Sequence, residues 1–99
     1  MAKKIPLEHP GTILLEEFLE PNGLTPSKLA AMIGVDRRRT YDIVNGKRPI
    51  TADTAMRLAI LFGNTPRFWM NMQARYDLEV EQEEKFERLL REIEPLAAE

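Results

Sequence analysis

Three consecutive arginines, Arg37, Arg38 and Arg39, follow Asp36 inside the stretch TPSKLAAMIGVDRRRTYDIVNG at residues 25–46. Burying them together is unfavourable, because each guanidinium removed from water without a partner costs several kcal/mol. They are expected on the surface or in ion pairs. A guanidinium is a planar fork of donors that fits phosphate oxygens or the O6/N7 edge of guanine, where a good pair gives about 1–3 kcal/mol of discrimination. On a helix, successive side chains point about 100° apart, so all three cannot face bases at once. Arg38 and Arg39 are expected to read bases, with Arg37 and Tyr41 at the groove edge. The competing reading is an exposed basic helix paired with the acidic tail of the same chain.

Phosphate chemistry is expected around this helix. Lys47-Arg48 forms a basic loop, and Thr51 starts a helix whose free N–H groups and dipole suit an anion. Ser27 and Lys28 open the preceding helix and could reach the opposite strand. Such contacts supply affinity and register, not sequence choice. Asp36 fits the cap of the arginine helix.

Catalytic equipment is sparse. The chain has one histidine, His9, no cysteine and no glycine-rich phosphate loop. His9 reads as a helix cap, and the glutamate pairs read as solvated faces. No catalytic or metal-binding residue, no cofactor and no small-molecule substrate is expected, and the chain is not read as an enzyme.

The elements that hold these residues follow a helical period throughout. Pro10 opens a helix after His9, with Ile13, Leu14, Phe18 and Leu19 inward and Glu16, Glu17 and Glu20 outward, ended by Pro21. Thr25-Pro26 starts the second helix, whose inner face is Leu29, Ala30 and Ile33. Ala30, the Gly34 turn and Ile43 then stand in helix-turn-helix order. Thr51 begins a fourth helix with Ala55, Leu58, Ala59 and Phe62 buried. Thr65-Pro66 begins a fifth, with Phe68 inside and Trp69 and Tyr76 shared between core and partner. Leu78 to Glu94 is expected to continue after a bend, with Phe86, Leu89, Leu90 and Ile93 apolar and Pro95 as the stop. Residues 1–9 are expected to be an extended arm.

Ninety-nine residues, 43% hydrophobic and 30% charged, suit a single all-α domain with one modest core. It divides into a helix-turn-helix and dimerisation core over 10–78 and an acidic C-terminal helix over 79–99. No apolar run marks a leader or a membrane span, so a cytoplasmic location is expected. The net charge of −2 hides an asymmetry: residues 23–50 sum to +4 and residues 77–99 to −6. A basic centre beside an acidic tail suggests two different partner surfaces, the alternative being that both are solvated faces. A single helix-turn-helix reads DNA weakly, so a two-fold dimer is expected, placing recognition helices about 34 Å apart. Trp69, Met72 and Tyr76 are assigned to its interface.

The segments HPGTILLEEFL (9–19), LAAMIGV (29–35), NGKRPIT (45–51) and TPRFWMNMQARYDL (65–78) resemble the HigA-type antitoxins, the VapI-like branch of the Cro/CI-like (XRE) helix-turn-helix family. The resemblance spans about 70 of the 99 residues. It implies a five-helix lambda-repressor-like domain, here with an additional C-terminal helix, that dimerises on double-stranded operator DNA. It also implies neutralisation of a cognate HigB/RelE-like mRNA-cleaving toxin and repression of the antitoxin's own operon. The alternative is a stand-alone repressor with no toxin. Two positions depart from the pattern. Pro26 replaces a polar phosphate-reaching side chain, and Arg39-Thr40 replaces a Thr-type residue and a buried aliphatic one.

Overall fold

In a computed structural model that describes residues 8–97, five residues expected to cap helices do so. His9 Nδ1 accepts the Gly11 N–H at 2.8 Å, Thr25 Oγ1 that of Lys28 at 3.1 Å, and Asp36 Oδ1 that of Arg38 at 2.9 Å. Thr51 Oγ1 accepts from Thr54 at 3.5 Å and Thr65 Oγ1 from Phe68 at 3.1 Å. Each cap satisfies a donor that the helix cannot satisfy itself, an effect worth about 1 kcal/mol. The arm expected over residues 1–9 lies outside the described residues except for Glu8 and His9.

The first helix changes pitch along its length. It starts as α1 (Pro10–Ile13), continues as a π-helical stretch (Leu14–Leu19) and closes as a 3₁₀ turn (Glu20–Asn22). The Glu20 N–H bonds to the Leu15 carbonyl, five residues back. In an α-helix, residues five apart lie about 140° apart around the axis. The wider turn brings Leu14 and Leu19 to one side, where both are fully buried. Pro21, expected to end the helix, instead sits within its last turn.

Helices α2 (Pro26–Ile33) and α3 (Arg37–Val44) form the helix-turn-helix. Gly34 makes the turn at φ +75°, in the left-handed region that β-carbons disfavour. Thr40, 1% exposed, holds the two helices together. Its Oγ lies 2.7 Å from the Pro26 carbonyl of α2 and 3.0 Å from the Arg37 carbonyl of its own preceding turn, and donates its one proton to this pair. The hydroxyl is thereby satisfied where an aliphatic side chain could only pack.

Helix α4 (Ala52–Phe62) completes the core with Ala55, Leu58 and Ala59, against Leu29, Ile33, Ile43 and Ile50. Helix α5 runs unbroken over Pro66–Glu92. The expected bend and separate C-terminal helix are absent because residues 67–92 contain neither glycine nor proline. The domain is thus five helices, all-α among the described residues, with the acidic segment fused to the fifth. The helix ends at Glu92, ahead of Pro95, with Ile93 extended.

The fifth helix also corrects the expected core. Trp69 is fully buried and Phe68 is 42% exposed, the reverse of the expected placement of Phe68. Trp69 packs against Phe18, Phe62 and Phe68, with ring centroids 4.8, 6.2 and 5.0 Å away, and donates Nε1–H to Asn64 Oδ1 at 2.8 Å. Burial at i and i+4 selects Trp69 and Gln73, and Phe68 lies one residue round the helix. Trp69 has no surface left for a dimer partner.

Candidate nucleic-acid interface

The arginine helix is fixed from below by backbone packing. A β-carbon on Gly11 would stand 1.8 Å from the Ile43 carbonyl oxygen, so α1 meets α3 main chain to main chain. Ile43 and Thr40 are both buried, leaving the first turn of α3 to face outward.

Within that turn the three arginines separate. Arg37 and Arg38 are exposed, with no ion pair among the described residues. Arg39 turns toward α4. Its Nη1 lies 2.7 Å from Asp53 Oδ2 and 3.3 Å from Thr54 Oγ1. Arg39, expected to read bases, bridges α3 and α4 in this structure. Asp53 also receives Arg57 Nε–H at 2.9 Å, and Arg57 Nη1 donates to the Ile33 carbonyl at 2.8 Å, capping the end of α2. Hydrogen bonds from Arg39 and then Arg57 hold the Asp53 carboxyl below its ordinary range. This one carboxylate ties α3, α4 and, through Arg57, α2.

The remaining candidates stand as follows. Asp36 serves as the cap of α3, and Tyr41 is 40% exposed one turn on. Lys47 is exposed, and Arg48 is half-buried with Nη2 3.5 Å from Asp42 Oδ2. Thr51 is exposed at the start of α4, beside Asp53. An acid there opposes a phosphate, but with Arg39 and Arg57 the cluster keeps a net positive charge. Ser27 is half-buried and Lys28 exposed on the first turn of α2. The residues that sequence reasoning missed are Asp53, Gly11 and Gln73. Asp53 reads as an ordinary acid in a first helical turn. Gly11 gives no sign of its contact, and Gln73 looks like one more polar residue on a long helix.

Among the described residues, the acidic tail makes no ion pair with Arg37, Arg38 or Arg39. Along α5, Arg75 pairs with Glu79 at 3.2 Å, Lys85 with Glu81 at 2.9 Å and Arg88 with Glu92 at 3.5 Å, each four residues away. The basic face is left open to an external anion. Among the described residues no group of three or more His, Cys, Asp or Glu side chains could hold a metal ion. No described helix is long and apolar enough to cross a membrane.

Known proteins share this fold. The model of the helix-turn-helix family matches residues 15–69. Virulence-associated protein I of Dichelobacter nodosus is 45% identical over 82 residues, 83% of this chain and 76% of its own. Antitoxin HigA-1 of Vibrio cholerae is 46% identical over 68 residues, 69% of this chain and 64% of its own. Among solved structures, the Pseudomonas aeruginosa antitoxin HigA with the higBA promoter superposes with a TM-score of 0.89. It is 38% identical, covering 93% of this chain and 100% of that one.

Proposed function

We infer the function of this chain from the family to which it belongs: it is a helix-turn-helix protein of the HigA-type antitoxin branch. It binds operator DNA as a homodimer through the first turn of α3, represses its own operon and neutralises a HigB/RelE-like mRNA-cleaving toxin in the cytoplasm. The observation that carries the DNA reading is the pair of unpartnered guanidinium groups, Arg37 and Arg38, projecting from a buried-backed helix. Arg38 reads bases, Arg37 and Tyr41 lie at the groove edge, and Arg39 sets the seat of the helix through Asp53. Lys47, Arg48, Thr51, Ser27 and Lys28 hold the backbone. The relative solved with its promoter supports the DNA-binding reading.

The dimer forms along α5. Met72 and Tyr76 are half-buried at its root, while Leu78 (59% exposed), Phe86 (49%) and Leu90 (63%) run on toward its end, with Ile93 (63%) just beyond it. Such an apolar stripe on an exposed helix suits a partner surface. The test has two arms. A footprint on the DNA upstream of the gene shows a protected palindrome with half-sites about one helical turn apart. Co-expression with the product of the adjacent gene restores growth. Failure of the first arm removes the repressor reading, and failure of the second removes the antitoxin reading alone.

A further inference from the structure

Helix α5 grips the DNA-facing loop from behind. Gln73 is a buried polar side chain, 5% exposed, and both ends of its amide are used. Its Oε1 accepts the Ile50 N–H at 2.8 Å, and its Nε2 donates to Asp77 Oδ1 at 2.9 Å. Ile50, 1% exposed, closes the segment that carries Lys47 and Arg48 and leads directly into the Thr51 cap of α4. The other end of the segment is held as well. Gly46 lies against the His9 ring, since a β-carbon there would meet His9 Cγ at 3.8 Å. The His9 ring stands edge-on to Tyr76 of α5, with centroids 5.0 Å apart. Both ends of the basic loop are thus referred to one helix.

We propose that Gln73 is a positioning residue for DNA binding, fixing the height at which Lys47, Arg48 and the start of α4 meet the phosphate backbone. The inference rests on the DNA-binding reading above and adds α5 to the machinery. The Ile50 N–H has Gln73 as its acceptor, and a buried donor without one must move toward water. Movement of that backbone carries the Lys47 side chain off its phosphate. Phosphate contacts register as counterion release, a slope of about 0.9 in log K against log salt for each one. A misplaced loop therefore shows itself in the slope as well as in affinity.

The experiment measures fluorescence anisotropy of a labelled random-sequence duplex with the full chain over a range of salt, alongside thermal melts. Gln73→Leu is expected to weaken binding about tenfold and to lower the slope by about one, as Lys47→Ala does. Combining the two adds little, because the loop contact is lost once. Gln73→Glu keeps the acceptor for Ile50 but sets a carboxylate against Asp77, and it too lowers the slope. Adding Asp77→Asn restores a donor between the pair and returns the slope to that of the wild type. This rescue keeps the test decisive if Gln73→Leu does not fold. A wild-type slope in a folded Gln73→Leu, losses that add fully to Lys47→Ala, or no rescue by Asp77→Asn overturns the inference. Absence of salt-dependent binding by the wild type overturns the DNA reading itself.

Discussion

Gly11 and Ile43 are in backbone contact, so that even one carbon on Gly11 would stand 1.8 Å from the Ile43 carbonyl oxygen. The obstacle is main chain, which no rotamer change relieves. Gly11→Ala is expected to lose more than about 2 kcal/mol by forcing α1 off α3. Urea unfolding checks this, and an unchanged midpoint contradicts the packing described.

Trp69 is the largest fully buried side chain, closing the space between the first helix and α4. Trp69→Ala is expected to cost about 3–5 kcal/mol. Trp69→Phe keeps most of the packing but leaves Asn64 Oδ1 without its indole donor, for about 1 kcal/mol. Because Trp69 faces the monomer core, sedimentation of the Phe variant is expected to give the same oligomeric state as the wild type.

Asp53 restrains two arginines, and its side chain is 52% exposed. Asp53→Ala is expected to leave stability nearly unchanged, as the loss of an exposed pair does. Its effect on DNA is larger and opposite in sign to a simple loss of contact. Removing the carboxylate frees Arg39 and adds positive charge, so binding to random-sequence duplexes strengthens while preference for the operator falls. Competition of operator against random DNA measures both.

Partial burial lowers the proton affinity of His9 below its ordinary value of 6.5, with Asp77 pulling part of the way back. Its Nδ1 must be unprotonated to accept the Gly11 N–H. The unfolded chain therefore binds this proton more readily than the folded one. The contribution is complete above the ordinary value and is lost as pH falls through the folded value. Stability is expected to decline as pH falls below the ordinary value of 6.5, and His9→Asn, which caps without titrating there, flattens that decline. Urea midpoints across this range give the comparison.

Local chemistry made much of this fold legible. Thr25, Asp36, Thr51 and Thr65 announce their helices because a cap is decided within three residues, and Leu29, Ala30 and Ile33 repeat at the helical period. The π-helical turn was not legible, since it answers to the simultaneous burial of Leu14 and Leu19. Trp69 and Phe68 are adjacent, and periodicity cannot say which one faces a core whose other walls are Phe18 and Phe62. The arginines were visible, but their separate duties were not. Asp53 lies fourteen residues beyond Arg39, and only the tertiary packing of α3 on α4 brings the two together.

The proposed function requires above all that Arg37 and Arg38 meet DNA. The most direct measurement is a binding titration of wild type, Arg37→Ala and Arg38→Ala against the upstream operator duplex and a scrambled duplex at fixed salt. Arg38→Ala is expected to weaken operator binding by about 1–3 kcal/mol and to shrink its preference over the scrambled duplex. Arg37→Ala is expected to weaken binding to both duplexes. Retention of wild-type affinity and preference by both variants would contradict the recognition role given to α3.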